Sequence, residues 1–157
     1  MTQPALTLLV LSDAHFDSAR TDGGKLANLN PSLGAELAER AWHDATRRHG
    51  PIDAIVLCGD IIHAGNATPA NDYTTFLAAL RKWAKQIPIF AAPGNCDLPP
   101  LFAEAFGAPG LSELNGYRFF TFADGYPDGP AECVRTEADI AEFTRAAGES
   151  DAPLIAI

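Results

Sequence analysis

The sequence predicts an α/β fold, a largely parallel or mixed sheet flanked by helices, and three observations predict it. Apolar runs at Leu8–Leu11, Ala54–Leu57 and Ile89–Ala92 have the length and composition of buried strands. Stretches with helical spacing separate them, the alternation that builds a parallel sheet with helices packed on it. Each run also ends directly in a polar cluster: Asp13-Ala14-His15, Gly59-Asp60, and Gly94-Asn95-Cys96-Asp97. In open α/β sheets the carboxyl ends of the strands are where ligands bind.

Taken in order, the first strand is expected near Leu6–Ser12, followed by a Gly- and Asp-bearing loop over Asp17–Leu29. Asn30-Pro31 reads as an N-cap with proline at the first helical position. The helix it opens carries Leu33, Leu37, Ala41 and Trp42 as its apolar stripe, with a basic last turn at Arg47, Arg48 and His49 before Gly50. Strand two is Ala54–Cys58, with Cys58 as a small buried apolar residue. A second helix over about Asn71–Lys85 presents Tyr73, Phe76, Leu77, Leu80 and Trp83 at helical spacing. Strand three is Ile87–Ala92, where Pro88 is tolerated near the start. Pro99-Pro100 opens a short helix through Leu101, Phe102 and Phe106. Tyr117–Ala123 is a strand by aromatic content, and Asp124–Pro130 is a loop rich in Gly, Pro and Asp. Thr136 with Asp139 forms a capping box for a helix that turns Ile140, Phe143 and Ala147 inward. Leu154–Ile157 begins a last strand.

A chain of 157 residues, 47% apolar and 20% charged, suffices for one domain with its own core, spanning 1–157. Its net charge of −9 argues against non-specific nucleic-acid or anionic-membrane binding, which needs clustered Lys and Arg. A phosphate substrate stays compatible with that charge, because bound metal ions reverse the local field. Met1–Ala5 carries no basic leader and no run reaches the length of a membrane span. Three cysteines, Cys58, Cys96 and Cys133, make no disulfide framework, so the expected compartment is the reducing cytoplasm.

An Asp-x-His on a turn leaving a sheet can aim a carboxylate and an imidazole into one crevice. That mixture suits Mn, Fe, Zn or Ni better than the oxygen-seeking Ca or Mg. Glycine before Asp60 permits close backbone approach, and a carboxylate can bridge two ions. Asn95 can bind through its amide oxygen, and it also suits a left-handed turn after Gly94. Asp13 and Asp60 stand 47 positions apart, and Asp60 and Asn95 stand 35 apart, each near one βαβ crossover. Such crossovers bring all three clusters to one sheet edge.

The joint pattern of D-x-H, G-D and G-N-C-D, each at a strand end, resembles the calcineurin-like metallophosphoesterase family. The resemblance is specific from Leu6 to Asp97 and looser to Ile157. It implies the N-terminal part of that family's α/β sandwich, incomplete at its C-terminus. It further implies that Asp13 and His15 hold a first divalent metal, that Asp60 bridges two, and that Asn95 holds the second and serves catalysis. Cys96 and Asp97 would stand beside these ligands. Family members use the ion pair to bind a phosphate ester and generate the attacking hydroxide, as two-metal sites do.

Cys96 takes the place of a histidine that many members carry, and a thiol is the poorer proton donor. The G-N-C-D form resembles small bacterial and archaeal phosphodiesterases and the retromer scaffold subunit, so phosphodiesters are the expected substrates. The family's later histidines, one after a further strand and a G-H-x-H, have no counterpart by Ile157, which leaves the second metal site weak. His43 and His49 fall on the first helix, and His63 is the one further histidine near the clusters. An unpaired edge beside Leu154–Ile157 is expected to invite self-association or a partner chain. The alternatives to a phosphoesterase are a non-catalytic binding or scaffold module on the same fold, or an inactive truncated chain.

Overall fold

The computed structural model describes residues 6–19, 30–63, 65, 67–126 and 133–157. Expectations for Met1–Ala5, for most of the Asp17–Leu29 and Asp124–Pro130 loops, and for Ala64 lie outside the described residues. Among the described residues six strands and four helices follow in order: β1 (Leu8–Leu11), α1 (Gly34–His49), β2 (Ala54–Cys58), α2 (Pro69–Ala84), β3 (Ile89–Ala92), α3 (Pro99–Phe106), β4 (Gly110–Leu114), β5 (Tyr117–Thr121), α4 (Glu137–Gly148) and β6 (Leu154–Ala156). Among the described residues no helix is long and apolar enough to cross a membrane.

The first sheet is wholly parallel, in the order β1-β2-β3, with Leu8 opposite Ala54 and Cys58 opposite Ala92. The second, in the order β4-β5-β6, is mixed: β4 and β5 form an antiparallel hairpin, and β6 adds to β5 in parallel. Alternation along the strands sorts their side chains into two cores. Leu9, Leu11, Ile55, Leu57 and Ala91 pack toward the helices, meeting Tyr73, Phe76 and Leu80 of α2 and Phe102 of α3. Ala54, Val56 and Phe90 point the other way, onto the second sheet, where Phe119 lies flat against Phe90 with ring centroids 3.9 Å apart. On the far side of that sheet, Phe120, Phe122 and Leu154 pack against Phe143 and Ala146 of α4. The molecule is therefore layered helix, sheet, sheet, helix.

A buried cation ties the outer helix to this stack. Arg118 of β5 donates to the carbonyls of Ala146, Ser150 and Ala152. A guanidinium at a helix C-terminus satisfies orphan carbonyls and is favoured by the helix dipole, by up to about 2 kcal/mol when partly buried.

Several expectations are corrected. The α/β class and its sandwich agree with the sequence reading, the two sheets stacking through Phe90 and Phe119, and the corrections concern single elements. The hairpin strand β4 was not anticipated. Its residues Gly110, Leu111, Ser112 and Glu113 make a weak strand pattern, but Asn115-Gly116 is a hairpin turn signal, and both residues have positive φ (52° and 82°). Asn30-Pro31 opens a 3-10 turn over Pro31–Leu33, and α1 begins only at Gly34. On α1 the buried residues are Gly34 and Ala38, while Leu37 is 55% exposed. On α4 Ala146 is buried, Ala147 is exposed and Ile140 is 51% exposed. Both slips arise because a helical stripe read from sequence can rotate by one position without losing its period. Helix α2 starts at Pro69, which suits the first helical position, and β3 starts after Pro88. Cys58 is exposed, because β2 ends there and its side chain faces the cleft described below. No strand pairs with the far side of β6 among the described residues, and Val10, on the same face of β1 as Leu8, is 58% exposed.

Candidate metal centre

The parallel order β1-β2-β3 carries the three polar clusters to one edge of the sheet, and backbone pairing continues past the strand ends to hold them. Asp13 N–H donates to Gly59 O at 3.1 Å, His15 N–H to Asp60 O at 2.9 Å, and Phe16 N–H to Ile61 O at 2.8 Å. Within this extended pairing Asp13, His15 and Asp60 adopt left-handed backbone, with φ of 56°, 43° and 52°. Each such non-glycine residue costs about 1–2 kcal/mol. Strain of this kind persists where surrounding structure over-determines it, commonly at functional sites.

Two glycines let the turns touch. A Cβ on Gly59 would lie 2.7 Å from Gly94 N and Cα, and a Cβ on Gly94 would lie 2.2 Å from Asp60 Oδ1. The loops after β2 and β3 are thus in backbone contact, which only glycine at both positions permits. A third glycine, Gly34, brings the start of α1 against the turn after β1, where an added Cβ would meet Ala14 O at 2.6 Å.

On this backbone the side chains converge. His15 Nε2 stands 3.6 Å from Asp13 Oδ1 and 3.7 Å from Asp60 Oδ2. Ligand atoms of His15, Asp60 and Cys96 all lie within 4.8 Å of one another. Cys96 N–H donates to Asp60 Oδ1 at 2.9 Å, which pins that carboxylate and leaves Oδ2 as the oxygen turned to His15. Asn95 is exposed on the same wall, and its Nδ2 donates to Cys96 Sγ at 3.5 Å. Among the described residues no Lys or Arg pairs with Asp13 or Asp60. Two carboxylates and an imidazole gathered without a protein cation fit a divalent metal ion, and the mixed O, N and S donors fit Zn, Fe, Mn or Ni. Asp13, His15 and Asp60 are the residues that could hold it, with Asn95 and Cys96 at hand.

Below these groups Asp97 is buried and works as a clamp. It accepts from Gly94 N–H at 2.9 Å, from Ile61 N–H at 3.1 Å, from Ile62 N–H at 3.4 Å and from Tyr73 O–H at 2.9 Å. One carboxylate therefore binds the loop after β2, the loop after β3 and helix α2 together. Burial pushes its carboxyl above the ordinary value, and these donors pull against that shift. The Tyr73 hydroxyl is pushed far upward, first by its own burial and then by Asp97, so it stays protonated as a donor. His63 packs edge-on against His15, with centroids 5.9 Å apart, and does not line the cleft. The exposed faces of α1 carry His43 and His49, away from the centre.

The cleft in front of the donors has a volume of about 310 Å³ and a second wall, which the sequence pattern did not single out. Phe122, Asp124, Tyr126 and Arg135 form it, with Ile157 at the end of β6 also reaching the cleft. Arg135 grips Asp124 with Nε and Nη2, both at 2.7 Å, and lies over the Phe122 ring at 3.6 Å. A two-residue bridge, Gly125 with Val134, closes the segment with reciprocal 2.8 Å hydrogen bonds. The Arg135 guanidinium holds Asp124 below the ordinary carboxylate range. Burial, with nearby Cys133 and Asp124, raises the Tyr126 hydroxyl. The available signal was Asp124 itself, one more acid just past an aromatic strand. Its partner Arg135 lies eleven positions away across a loop and is not legible by spacing.

The sequence model of the family described as calcineurin-like phosphoesterase matches residues 6–149 of the chain. No curated protein matches it.

Proposed function

The chain belongs to the calcineurin-like phosphoesterase family, and from that premise we propose that it hydrolyses phosphodiesters in the strand-end cleft, with monoesters as poorer substrates. The observation that carries the proposal is the convergence of Asp13 and Asp60 on His15 Nε2, at 3.6 and 3.7 Å, with no Lys or Arg paired to either acid among the described residues.

In this reading Asp13 and His15 hold a first divalent ion, Asp60 contributes to two, and Asn95 serves the second through its amide oxygen. Such ions, whether Mn, Fe, Zn or Ni, would supply positive charge to the phosphate and acidity to a water. The residues do the rest. Cys96 N–H keeps Asp60 in place, and the Asn95 amide is held by its bond to Cys96 Sγ. Arg135 already spends two N–H groups on Asp124, and its remaining N–H groups can meet a phosphate oxygen or the second ester group of a diester. Tyr126 keeps its proton at neutral pH and can donate to the same substrate. The diester preference is supported by the G-N-C-D form of the third cluster, which resembles that of small phosphodiesterases. The reducing cytoplasm is the proposed location, in keeping with three cysteines that form no disulfide.

The test is hydrolysis of bis(p-nitrophenyl) phosphate and p-nitrophenyl phosphate with Mn, Fe, Zn or Ni added. Metal-dependent turnover that favours the diester is the expected result. A monoester preference would remove the diester assignment, and no turnover with any of these ions would remove the phosphoesterase reading.

A further inference from the structure

Three cysteines lie in the described chain, and they differ in one respect. Cys58 and Cys133 are exposed as residues; partial burial first, and then Asp13, raises the Cys58 thiol, and Asp124 raises that of Cys133. Cys58 even lines the cleft, yet it does not fall among the gathered donors. Cys96 is half-buried, and its Sγ lies within 4.8 Å of ligand atoms of both His15 and Asp60. Those three donors come from three different loops, after β1, β2 and β3, so their meeting is a product of the fold rather than of sequence proximity.

We infer that Cys96 is a metal ligand, binding the same ion as His15 and Asp60 through its sulfur, and that this makes the centre selective for a borderline-soft ion such as Zn(II) over Mn(II) or Mg(II). The inference rests on the strand-end cleft being a metal centre, and it changes which ion that centre prefers. The backbone around Cys96 is built for the role. Its N–H is committed to Asp60 Oδ1 at 2.9 Å, which sets the residue directly beside a candidate ligand. The Asn95 amide donates to Sγ at 3.5 Å, an interaction that strengthens when the sulfur is a thiolate. Asp97, the next residue, is locked by four donors, so the position of Cys96 does not depend on a loose loop. On binding, the thiol proton passes to solvent and the sulfur–metal bond forms in its place, with no change of oxidation state. Thiolate ligation favours Zn(II) and Co(II), whereas Mn(II) and Mg(II) prefer oxygen donors.

Adding Co(II) to the metal-free protein reads this directly. The wild-type protein should show a near-ultraviolet sulfur-to-cobalt charge-transfer band, which Cys96→Ser and Cys96→Ala both lose and which Cys58→Ser and Cys133→Ser both keep. Zn(II) affinity, measured by competition with a chromophoric chelator, should fall at least about tenfold in Cys96→Ser while Mn(II) affinity changes little. Co(II) binding without the band in the wild-type protein would overturn the inference and leave the metal centre standing. A band that survives in Cys96→Ser would also overturn it. Failure of the wild-type protein to bind Co(II), Zn(II) or Mn(II) at all would overturn both this inference and the metal-centre reading beneath it.

Discussion

The two walls of the cleft are made in different ways. The inner wall, carrying Asp13, Asp60 and Asn95 with His15 against the two acids, is held by main chain: a continued parallel ladder, left-handed residues, a Gly59–Gly94 contact and the buried Asp97 clamp. The outer wall, carrying Phe122, Asp124, Tyr126 and Arg135, is held by side chains around a single two-residue bridge. Main-chain anchoring permits almost no adjustment, as the donors proposed to share an ion would require. A wall of paired, partly exposed side chains can shift, as a surface that meets varied substrate groups requires. Rigidity here follows from which atoms make the contacts.

Substitutions on the inner wall should cost most. Asp60→Ala removes one of the two carboxylates beside His15 and should lower metal-dependent turnover by roughly a thousandfold or more, with loss of metal binding seen by calorimetry. If that variant turned over normally, the inner wall would not be the reactive one. Asp97→Asn should destabilise the fold by about 3 kcal/mol, because an amide cannot accept all the bonds the carboxylate takes and sets its own N–H groups against donors. Urea denaturation followed by tryptophan fluorescence measures this. Gly94→Ala should cost about 2 kcal/mol by forcing a Cβ into Asp60 Oδ1, and it should weaken metal binding as well. A thermal midpoint equal to the wild type would show that these loops are looser than their contact implies.

The outer wall should yield the smallest effect. A double-mutant cycle of Arg135→Gln with Asp124→Asn should give a coupling below about 1 kcal/mol, since the pair is partly exposed. Its pH dependence has a definite sign. Arg135 depresses the folded-state pKa of Asp124, so the contribution is fully present above the unfolded value of about 4 and is lost as pH falls through the folded value. A coupling as large as the Asp97 effect would erase the contrast between the walls.

Much of the inner wall was legible because its signals are local. An apolar run followed by Asp-x-His, Gly-Asp or Gly-Asn-Cys-Asp announces a strand and a turn in a few residues, and the capping box of Thr136 and Asp139 is equally compact. Helix faces were less legible: Leu37 and Ala38 differ by one position, and only packing decides which is buried. The hairpin strand Gly110–Leu114 was missed because its composition is weak and its pairing with β5 supplies the order. Arg135 was missed because its partners, Phe122 and Asp124, lie across a loop.

The sequence by itself determined three strands, the crossovers between them and the residues at their ends, since these depend on periodicity and spacing within short windows. Only the tertiary structure decided that two sheets stack through Phe90 and Phe119, that Asp13, His15 and Asp60 sit on left-handed backbone, and that Cys96 Sγ joins His15 and Asp60. Those facts depend on close approach between segments tens of residues apart, and such approach is set by excluded volume and shared hydrogen bonds that no single segment contains.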